Sequence, residues 1–237
     1  MTHAPASATP RWHGHRDSAA VEQAVTRIIL DAAHTTIAQH GAFHLVLAGG
    51  TTPRRIYERL RLAPADWAHW HIYFGDERCL PADHPDRNSH MAHEAWLSQV
   101  AIPAPQIHPI PAELGAQTAA TAYAETLSTI TVFDMVLLGL GEDGHTASLF
   151  PGHPWGEDRH AAATLAVFNA PKPPAYRVSL SAHRLSLTKA CLYIVTGASK
   201  RSAVHAWRHG ESIPAAAIQP IGGVGVDIHG DMAAMAD

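Results

Sequence analysis

The feature that most constrains the fold is a repeated unit, an apolar run followed by a glycine-rich or polar loop and then a helical segment. The apolar runs and their loops are "FHLVLAGG", "HIYFGDERCLP", "FDMVLLGLG" and "CLYIVTG". Helix-like segments such as "TPRRIYERLRL" and "SKRSAVHAWRHG" follow them. Strands that alternate with helices form βαβ units, in which the strands run parallel and helices cover the sheet. We therefore predict an α/β fold with a mostly parallel, doubly wound (Rossmann-like) sheet and helices on both faces.

The pattern continues along the chain without a linker or an internal repeat, so we expect a single α/β domain over residues 1–237. Hydrophobic residues make up 46% of the sequence, enough for a packed core. The first 16 residues, rich in Pro, Ala and His, are expected to be a loose N-terminal extension. The first helix is expected to begin at a cap formed by Asp17 or Ser18 and to end at Gly41. A further strand is expected in "YRVSLS".

Composition and charge exclude several classes of function. The formal net charge of −4 provides no basic surface for nucleic acid. No apolar run approaches the ~18 residues that cross a bilayer, and the N-terminus lacks the apolar stretch of a secretory signal. The two cysteines, Cys79 and Cys191, have no metal-ligand spacing and suit a reducing compartment. We expect a soluble cytoplasmic protein that contacts neither nucleic acid nor membrane, and a monomer rather than an obligate oligomer.

Ligands of parallel α/β sheets bind beyond the carboxyl ends of the strands, which places the chemistry in the loops after the apolar runs. In "AGGTTPRRIY", Gly49 and Gly50 allow backbone amides to approach an anion at a helix start, with Thr52 as N-cap and Pro53 in the first helical position. An ordinary capped helix explains the same pattern equally well. In "GASKRSAV", Lys200 at a helix start opposes the helix dipole unless a phosphate lies there; a solvated lysine is the alternative.

The loop "GDERCLP" places Asp76, Glu77 and Arg78 at a strand end. The carboxylates could perform acid–base chemistry, but an internal ion pair that holds the loop is at least as plausible. The Arg78 guanidinium could polarise a substrate oxygen or bind a carboxylate.

The loop "GLGEDGHTASLFPG" matches the G-x-G-x-x-G dinucleotide fingerprint at Gly139, Gly141 and Gly144. A nicotinamide site is nevertheless not expected. Two acids would lie beneath the pyrophosphate, any following helix reaches only "TASLF", and the loop is far from the first βαβ unit. We interpret the loop as a tight turn that presents His145 as a general base, with Asp143 orienting the imidazole or contacting a substrate hydroxyl. A helix-start histidine bonded to the backbone is the structural alternative.

No cofactor or metal is expected. The chain has 19 histidines, but "HEAW" lacks the second histidine of a zinc-binding H-E-x-x-H motif. We interpret "HGH" near the N-terminus as part of the extension.

Together, the segments "LAGGTTPRRIYERL", "FGDERCLPADHPDRNSH", "FDMVLLGLGEDGHTASLFPG", "APKPPAYRVSLS" and "YIVTGASKRSAV" resemble the 6-phosphogluconolactonase family, whose fold is shared with glucosamine-6-phosphate deaminases. The resemblance implies hydrolysis of 6-phospho-D-glucono-1,5-lactone, with a small sugar-phosphate lactone as the partner. It implies His145, Asp143 and Arg78 as catalytic residues, and Gly49, Gly50, Thr51, Arg177 and Lys200 as substrate- and phosphate-binding residues.

Two positions distinguish this chain from the deaminases it resembles. Those proteins usually carry a tyrosine where Arg78 stands and a glutamate at the position of Phe150. Loss of the glutamate removes a partner for ring opening and proton relay, which favours lactone hydrolysis. An amino-sugar-phosphate deaminase or isomerase, or a non-catalytic sugar-phosphate-binding protein, remains the alternative on the same scaffold.

Overall fold

Nine strands form two sheets in the computed structural model, which describes residues 9–236. The strands are β1 (Arg11–His15), β2 (Phe43–Leu47), β3 (Trp70–Phe74), β4 (Asp76–Arg78), β5 (Phe133–Gly139), β6 (Thr164–Val167), β7 (Arg177–Leu180), β8 (Thr188–Val195) and β9 (Asp227–Asp231). The main sheet has six strands in the order β1-β9-β8-β5-β2-β3, and every neighbouring pair is parallel. The central strand β5 is buried from Phe133 to Leu138, as expected for a strand covered on both faces. The predicted parallel α/β architecture is confirmed.

Seven α-helices in residues 9–236 connect and cover the strands. They are α1 (Ser18–His40), α2 (Thr51–Leu60), α3 (Asn88–Ala95), α4 (Ala116–Thr126), α5 (Ala182–Ser186), α6 (Arg201–Arg208) and α7 (Met232–Met235). The predicted ends of α1 are confirmed. The Asp17 carboxylate accepts a hydrogen bond from the Ala20 amide at 2.8 Å, and Gly41 ends the helix with φ of 80°. No helix of residues 9–236 is long and apolar enough to cross a membrane.

A second sheet of three antiparallel strands, in the order β4-β7-β6, lies beside the carboxyl edge of the main sheet. The predicted strand "HIYFGDERCLP" divides at Gly75, so that β3 joins the main sheet and β4 the small one. Backbone hydrogen bonds at Gly75 join the two sheets, because its amide donates to Leu47 and its carbonyl accepts from Leu180. The predicted strand "YRVSLS" is β7 of this small sheet.

The structure corrects three local expectations. Residues 1–8 of the expected loose extension lie outside the described residues, but residues 11–15 form the edge strand β1, because β9 offers a parallel partner. Helix α2 begins at Thr51 with Gly50 as its N-cap, not at Pro53 after a Thr52 cap. The segment "TASLF" is not helical but is a turn closed by a bridge between Thr146 and Leu149.

Candidate active site

Four loops at the carboxyl edge of the main sheet surround a cavity of about 350 Å³. They follow β8, β5, β2 and β3, which are four consecutive strands of the sheet, with β3 at its edge. Of the residues predicted for the site, six line this cavity: Gly49, Gly50, Arg78, His145, Arg177 and Lys200. Asp143 contacts His145, and Thr51 lines an adjoining cavity of about 470 Å³. The structure therefore brings the predicted residues to one edge of the sheet.

The loop after β5 is a tight turn built around His145. The Gly141 amide donates a hydrogen bond to the His145 carbonyl at 2.7 Å, and the Thr146 hydroxyl donates to the Gly139 carbonyl at 2.9 Å. A Cβ on Gly141 would lie 1.9 Å from His145 Nδ1. Gly144 has φ of +82°, and a Cβ there would lie 2.8 Å from the side chain of Ile213. These two glycines are required by the packing of the imidazole and of the turn.

The His145 imidazole is paired with Asp143 and is neutral near pH 7. Burial lowers the pKa of His145, the hydrogen bond and charge of Asp143 raise it in part, and the nearby Lys172 ammonium lowers it further. Burial raises the pKa of Asp143, but the hydrogen bond and charge of His145 outweigh that effect and lower it overall. An ionised carboxylate only accepts, so Nδ1 carries the proton and donates to Asp143. Nε2 therefore retains the lone pair that a general base needs.

Phe150 supports the imidazole from within the core. Its side chain is fully buried, and its ring centroid lies 4.8 Å from that of His145. The Arg177 guanidinium lies over the same ring, with Cζ 5.5 Å from the centroid. This contact joins the loop after β5 to strand β7.

Asp76 and Glu77 hold the loops in place. Glu77 is fully buried, and its carboxylate accepts hydrogen bonds from the amides of Asn88 and Ser89 at the start of α3, each at 2.8 Å. Asp76 accepts from the Asn88 carboxamide at 3.0 Å and from the Ser148 hydroxyl at 2.5 Å. The ion-pair alternative therefore describes Glu77, which also lies 3.4 Å from Arg87, whereas Asp76 connects two loops of the site.

Asn88 is a cavity residue that the sequence reasoning missed. It lies at the start of α3, and a Cβ on Gly49 would approach its side-chain oxygen to 2.1 Å. The glycine is therefore required for the close approach of the β2 loop to α3. Asn88 belongs to the motif "DRNSH", which is part of a segment that carries the family resemblance, and that motif could have identified it as a site residue.

Arg78 and Arg177 lie opposite each other on the paired strands β4 and β7. The Arg78 Nη1 donates to the Asp86 carbonyl at 2.6 Å, whereas its buried Nε has no hydrogen-bond partner among the described residues. Burial lowers the pKa of Arg177, Asp76 raises it and Arg78 lowers it. Two like charges on paired strands repel, and an anion in the cavity would relieve that repulsion.

The start of α2 faces the adjoining cavity. Its N-cap Gly50 makes no side-chain capping hydrogen bond, and the exposed Thr51 follows it. Lys200 lines both cavities. Burial lowers the pKa of Lys200, and the carboxylates of Glu142 and Asp143 partly oppose this effect. A phosphate near Lys200 would meet an ammonium group and the amides of a helix N-terminus.

The cavity wall is strongly cationic. Its charged lining residues are the cations Arg78, Lys172, Arg177 and Lys200, and one carboxylate, Asp76. Lys172, in "APKPP", was not predicted as a site residue, although it is one of only three lysines in the chain. Within residues 9–236, no three His, Cys, Asp or Glu side chains form a group that could hold a metal ion. The arrangement suits a substrate that carries an anionic group and whose reacting carbon, itself uncharged, lies near His145.

Comparison with known proteins relates this chain to a family of sugar-phosphate enzymes. The profile of the family described as "Glucosamine-6-phosphate isomerases/6-phosphogluconolactonase" matches residues 16–226. The "6-phosphogluconolactonase" of Synechocystis sp. is 39% identical over 179 residues, which cover 71% of this chain and 72% of that protein. The "Probable 6-phosphogluconolactonase 3, chloroplastic" of Oryza sativa subsp. indica is 37% identical over 186 residues, which cover 71% of this chain but only 57% of the rice protein.

A solved structure extends the similarity to nearly the whole fold. The 6-phosphogluconolactonase from Trypanosoma brucei superposes with a TM-score of 0.86 at 27% identity, covering 96% of this chain and 98% of that protein.

Proposed function

Since this chain belongs to the family of glucosamine-6-phosphate isomerases and 6-phosphogluconolactonases, we propose that it hydrolyses 6-phospho-D-glucono-1,5-lactone to 6-phospho-D-gluconate in the oxidative pentose phosphate pathway. The observation that carries the proposal is the His145–Asp143 pair at a cavity with four cationic side chains. A general base at the cavity suits an uncharged ester group, and the cationic side chains around it suit a phosphate on the same substrate.

His145 acts as the general base. Nε2 takes a proton from water as the water oxygen forms a bond to the lactone carbonyl carbon. The bond from that carbon to the ring oxygen then breaks, and the imidazolium returns the proton to the leaving oxygen. Such a group typically contributes about 10²–10⁴-fold to the rate. Asp143 holds the imidazole in the tautomer that leaves Nε2 free, and its charge stabilises the imidazolium.

Arg78 stabilises the charge that develops on the carbonyl oxygen. Its guanidinium lines the cavity and is oriented by the hydrogen bond from Nη1 to the Asp86 carbonyl. One preorganised donor of this kind is worth about 10²–10³-fold in rate. The lactone is already an activated ester, so the mechanism requires no covalent nucleophile, metal or cofactor.

The phosphate binds where the two cavities meet. Lys200 lines both, and the amides of Gly50 and Thr51 with the Thr51 hydroxyl lie at the start of α2. Gly49 lets this loop approach α3 closely, and Arg177 adds positive charge to the wall. We propose further that the enzyme is a cytoplasmic monomer, which gel filtration and cell fractionation test.

The decisive experiment follows acid release from freshly made lactone above its spontaneous decay. The wild-type protein accelerates the release. His145→Ala lowers kcat by about 10²–10⁴-fold with KM nearly unchanged, because the base acts in the transition state. Lys200→Ala chiefly raises KM, because it removes binding that is equal in the ground and transition states.

The same preparation separates the alternatives. Release of ammonia from glucosamine 6-phosphate would identify a deaminase. Binding of 6-phosphogluconate without any lactone turnover would identify a sugar-phosphate-binding protein. Wild-type kinetics in both variants would refute the assignment of the site.

A further inference from the structure

Residues 172–174 form part of the cavity wall and are held by a single side chain. The Arg177 Nε donates a hydrogen bond to the Pro174 carbonyl at 3.1 Å. Its Nη2 donates to the carbonyls of Lys172 at 2.9 Å and Pro173 at 3.0 Å. Three consecutive carbonyls therefore converge on one guanidinium, which fixes the path of this segment over the cavity.

The guanidinium that holds the segment is itself fixed. Arg177 is 5% exposed, and its backbone belongs to β7, which pairs with β4. Its Cζ lies over the ring of Phe150, the same buried ring that packs against His145. The segment and the base are thus positioned by one shared contact in the core.

Lys172 is the cationic residue of this segment. Its side chain lines the same cavity as His145 and Lys200, and its charge lowers the pKa of both. No carboxylate of residues 9–236 lies within ion-pair distance of it. By contrast, Lys189 is paired with Asp134 at 2.7 Å. An exposed ammonium that shares a cavity wall with the cations Arg78, Arg177 and Lys200 is unfavourable in the free protein, and a bound dianion reverses the sign of that interaction.

We propose that Lys172 binds the substrate phosphate together with Lys200, and that Arg177 is a positioning residue that holds residues 172–174 so that Lys172 reaches the phosphate. The inference rests on the proposed function, since it names a further residue of the same site. A compact ammonium group on a flexible stem suits a tetrahedral phosphate dianion. Arg177 contributes its field to the cavity, but its Nε and Nη2 hydrogens are committed to the segment.

The test measures lactone kinetics and, by calorimetry, the Kd for 6-phosphogluconate. Lys172→Met raises KM and Kd by about 10- to 100-fold, the loss of one charge-assisted contact, with kcat within about threefold. Lys172→Arg restores both values to within about tenfold, because it keeps the charge. Arg27→Met, which removes an exposed cation from α1, is the matched control for net charge and leaves both values unchanged.

Arg177 is tested with Arg177→Gln, Arg177→Lys and the double variant with Lys172→Met. If Arg177 acts mainly through Lys172, the double variant binds only slightly more weakly than Lys172→Met alone, by the loss of the Arg177 field, and lysine at 177 fails to rescue because it cannot span three carbonyls. Additive losses, or rescue by Arg177→Lys, would overturn the positioning role.

The outcome for Lys172 is separable from the proposed function. An unchanged Kd in Lys172→Met, alongside lost turnover in His145→Ala, refutes the role of Lys172 and leaves the lactonase intact. A raised Kd without lactone turnover in the wild-type protein supports the role of Lys172 in phosphate binding and refutes the lactonase.

Discussion

Gly141→Ala is expected to inactivate the protein without unfolding it. The added Cβ would lie 1.9 Å from His145 Nδ1, 2.2 Å from Cε1 and 2.5 Å from Cγ. Since ordinary contact begins near 3.4 Å, the imidazole must move by about 1.5 Å. Phe150 blocks retreat into the core, so the ring moves away from its pairing with Asp143.

The size of the effect follows from that displacement. Misplacing a reacting group by about 1 Å can cost about 10²-fold in rate, which corresponds to about 2.7 kcal/mol of transition-state stabilisation. We therefore expect kcat to fall by at least about 10²-fold. Gly141 does not have positive φ, so alanine adds no backbone strain. We expect the free energy of unfolding to change by no more than about 1 kcal/mol, a few degrees in Tm.

The assay is lactone hydrolysis corrected for spontaneous decay, with Tm from thermal unfolding of the same preparation. Gly14→Ala on β1 is the matched control, because a Cβ there meets no atom within 4 Å, and it should retain wild-type kcat. If Gly141→Ala kept kcat within about threefold of the wild type, the imidazole position would not control the reaction and the reasoning would fail.

Two further predictions concern pH. The value of kcat/KM should fall as pH drops through the pKa of His145, which burial places below its ordinary value of 6.5. Asp143→Asn should lower kcat by about 10²–10⁴-fold and should move this fall in kcat/KM to lower pH, because Asp143 raises the pKa of His145. A shift to higher pH would contradict the pairing of Asp143 with His145. Burial, then the charges of His13 and His15, lower the pKa of His229 to about 4. The unfolded chain therefore binds the extra proton first, so stability should be lost as pH falls from about 6.5 toward 4, by on the order of 2 kcal/mol. His229→Gln should flatten that loss in denaturant titrations, and an unchanged pH dependence would show that another group controls it.

Local sequence patterns predicted those helices and strands that can be recognised without knowing which distant segment they pack or pair with. The runs "FHLVL" and "FDMVLLG" became central strands because a strand covered on both faces is apolar throughout. Strand β1 could not be predicted in the same way. Its sequence "RWHGH" is polar, and its partner β9 lies more than 200 residues away, so only the assembled sheet creates the pairing.

The site shows the same division. The positions of His145, Asp143 and Lys200 at the sheet edge were predictable, because each lies in a loop that follows a strand of the parallel sheet. The hydrogen bonds that Arg177 donates could not be predicted, since their three acceptors are backbone carbonyls whose positions depend on the path of residues 172–174. Asn88 and Gly49 are likewise coupled only by the close approach of α3 to the β2 loop.

Phe150 restricts which reactions this arrangement can support. The deaminases that the chain resembles usually carry a glutamate at this position, whereas here a fully buried aromatic ring packs under the imidazole. The ring supplies packing but cannot carry a proton, so the side chain packed on Phe150 that can transfer a proton is His145. Lactone hydrolysis needs only one such group, because the attacking water and the leaving ring oxygen are bonded to the same carbon and one imidazole can serve both in turn. Isomerisation with loss of an amine moves protons at two neighbouring carbons and at the nitrogen, which a single base over an apolar floor does not cover.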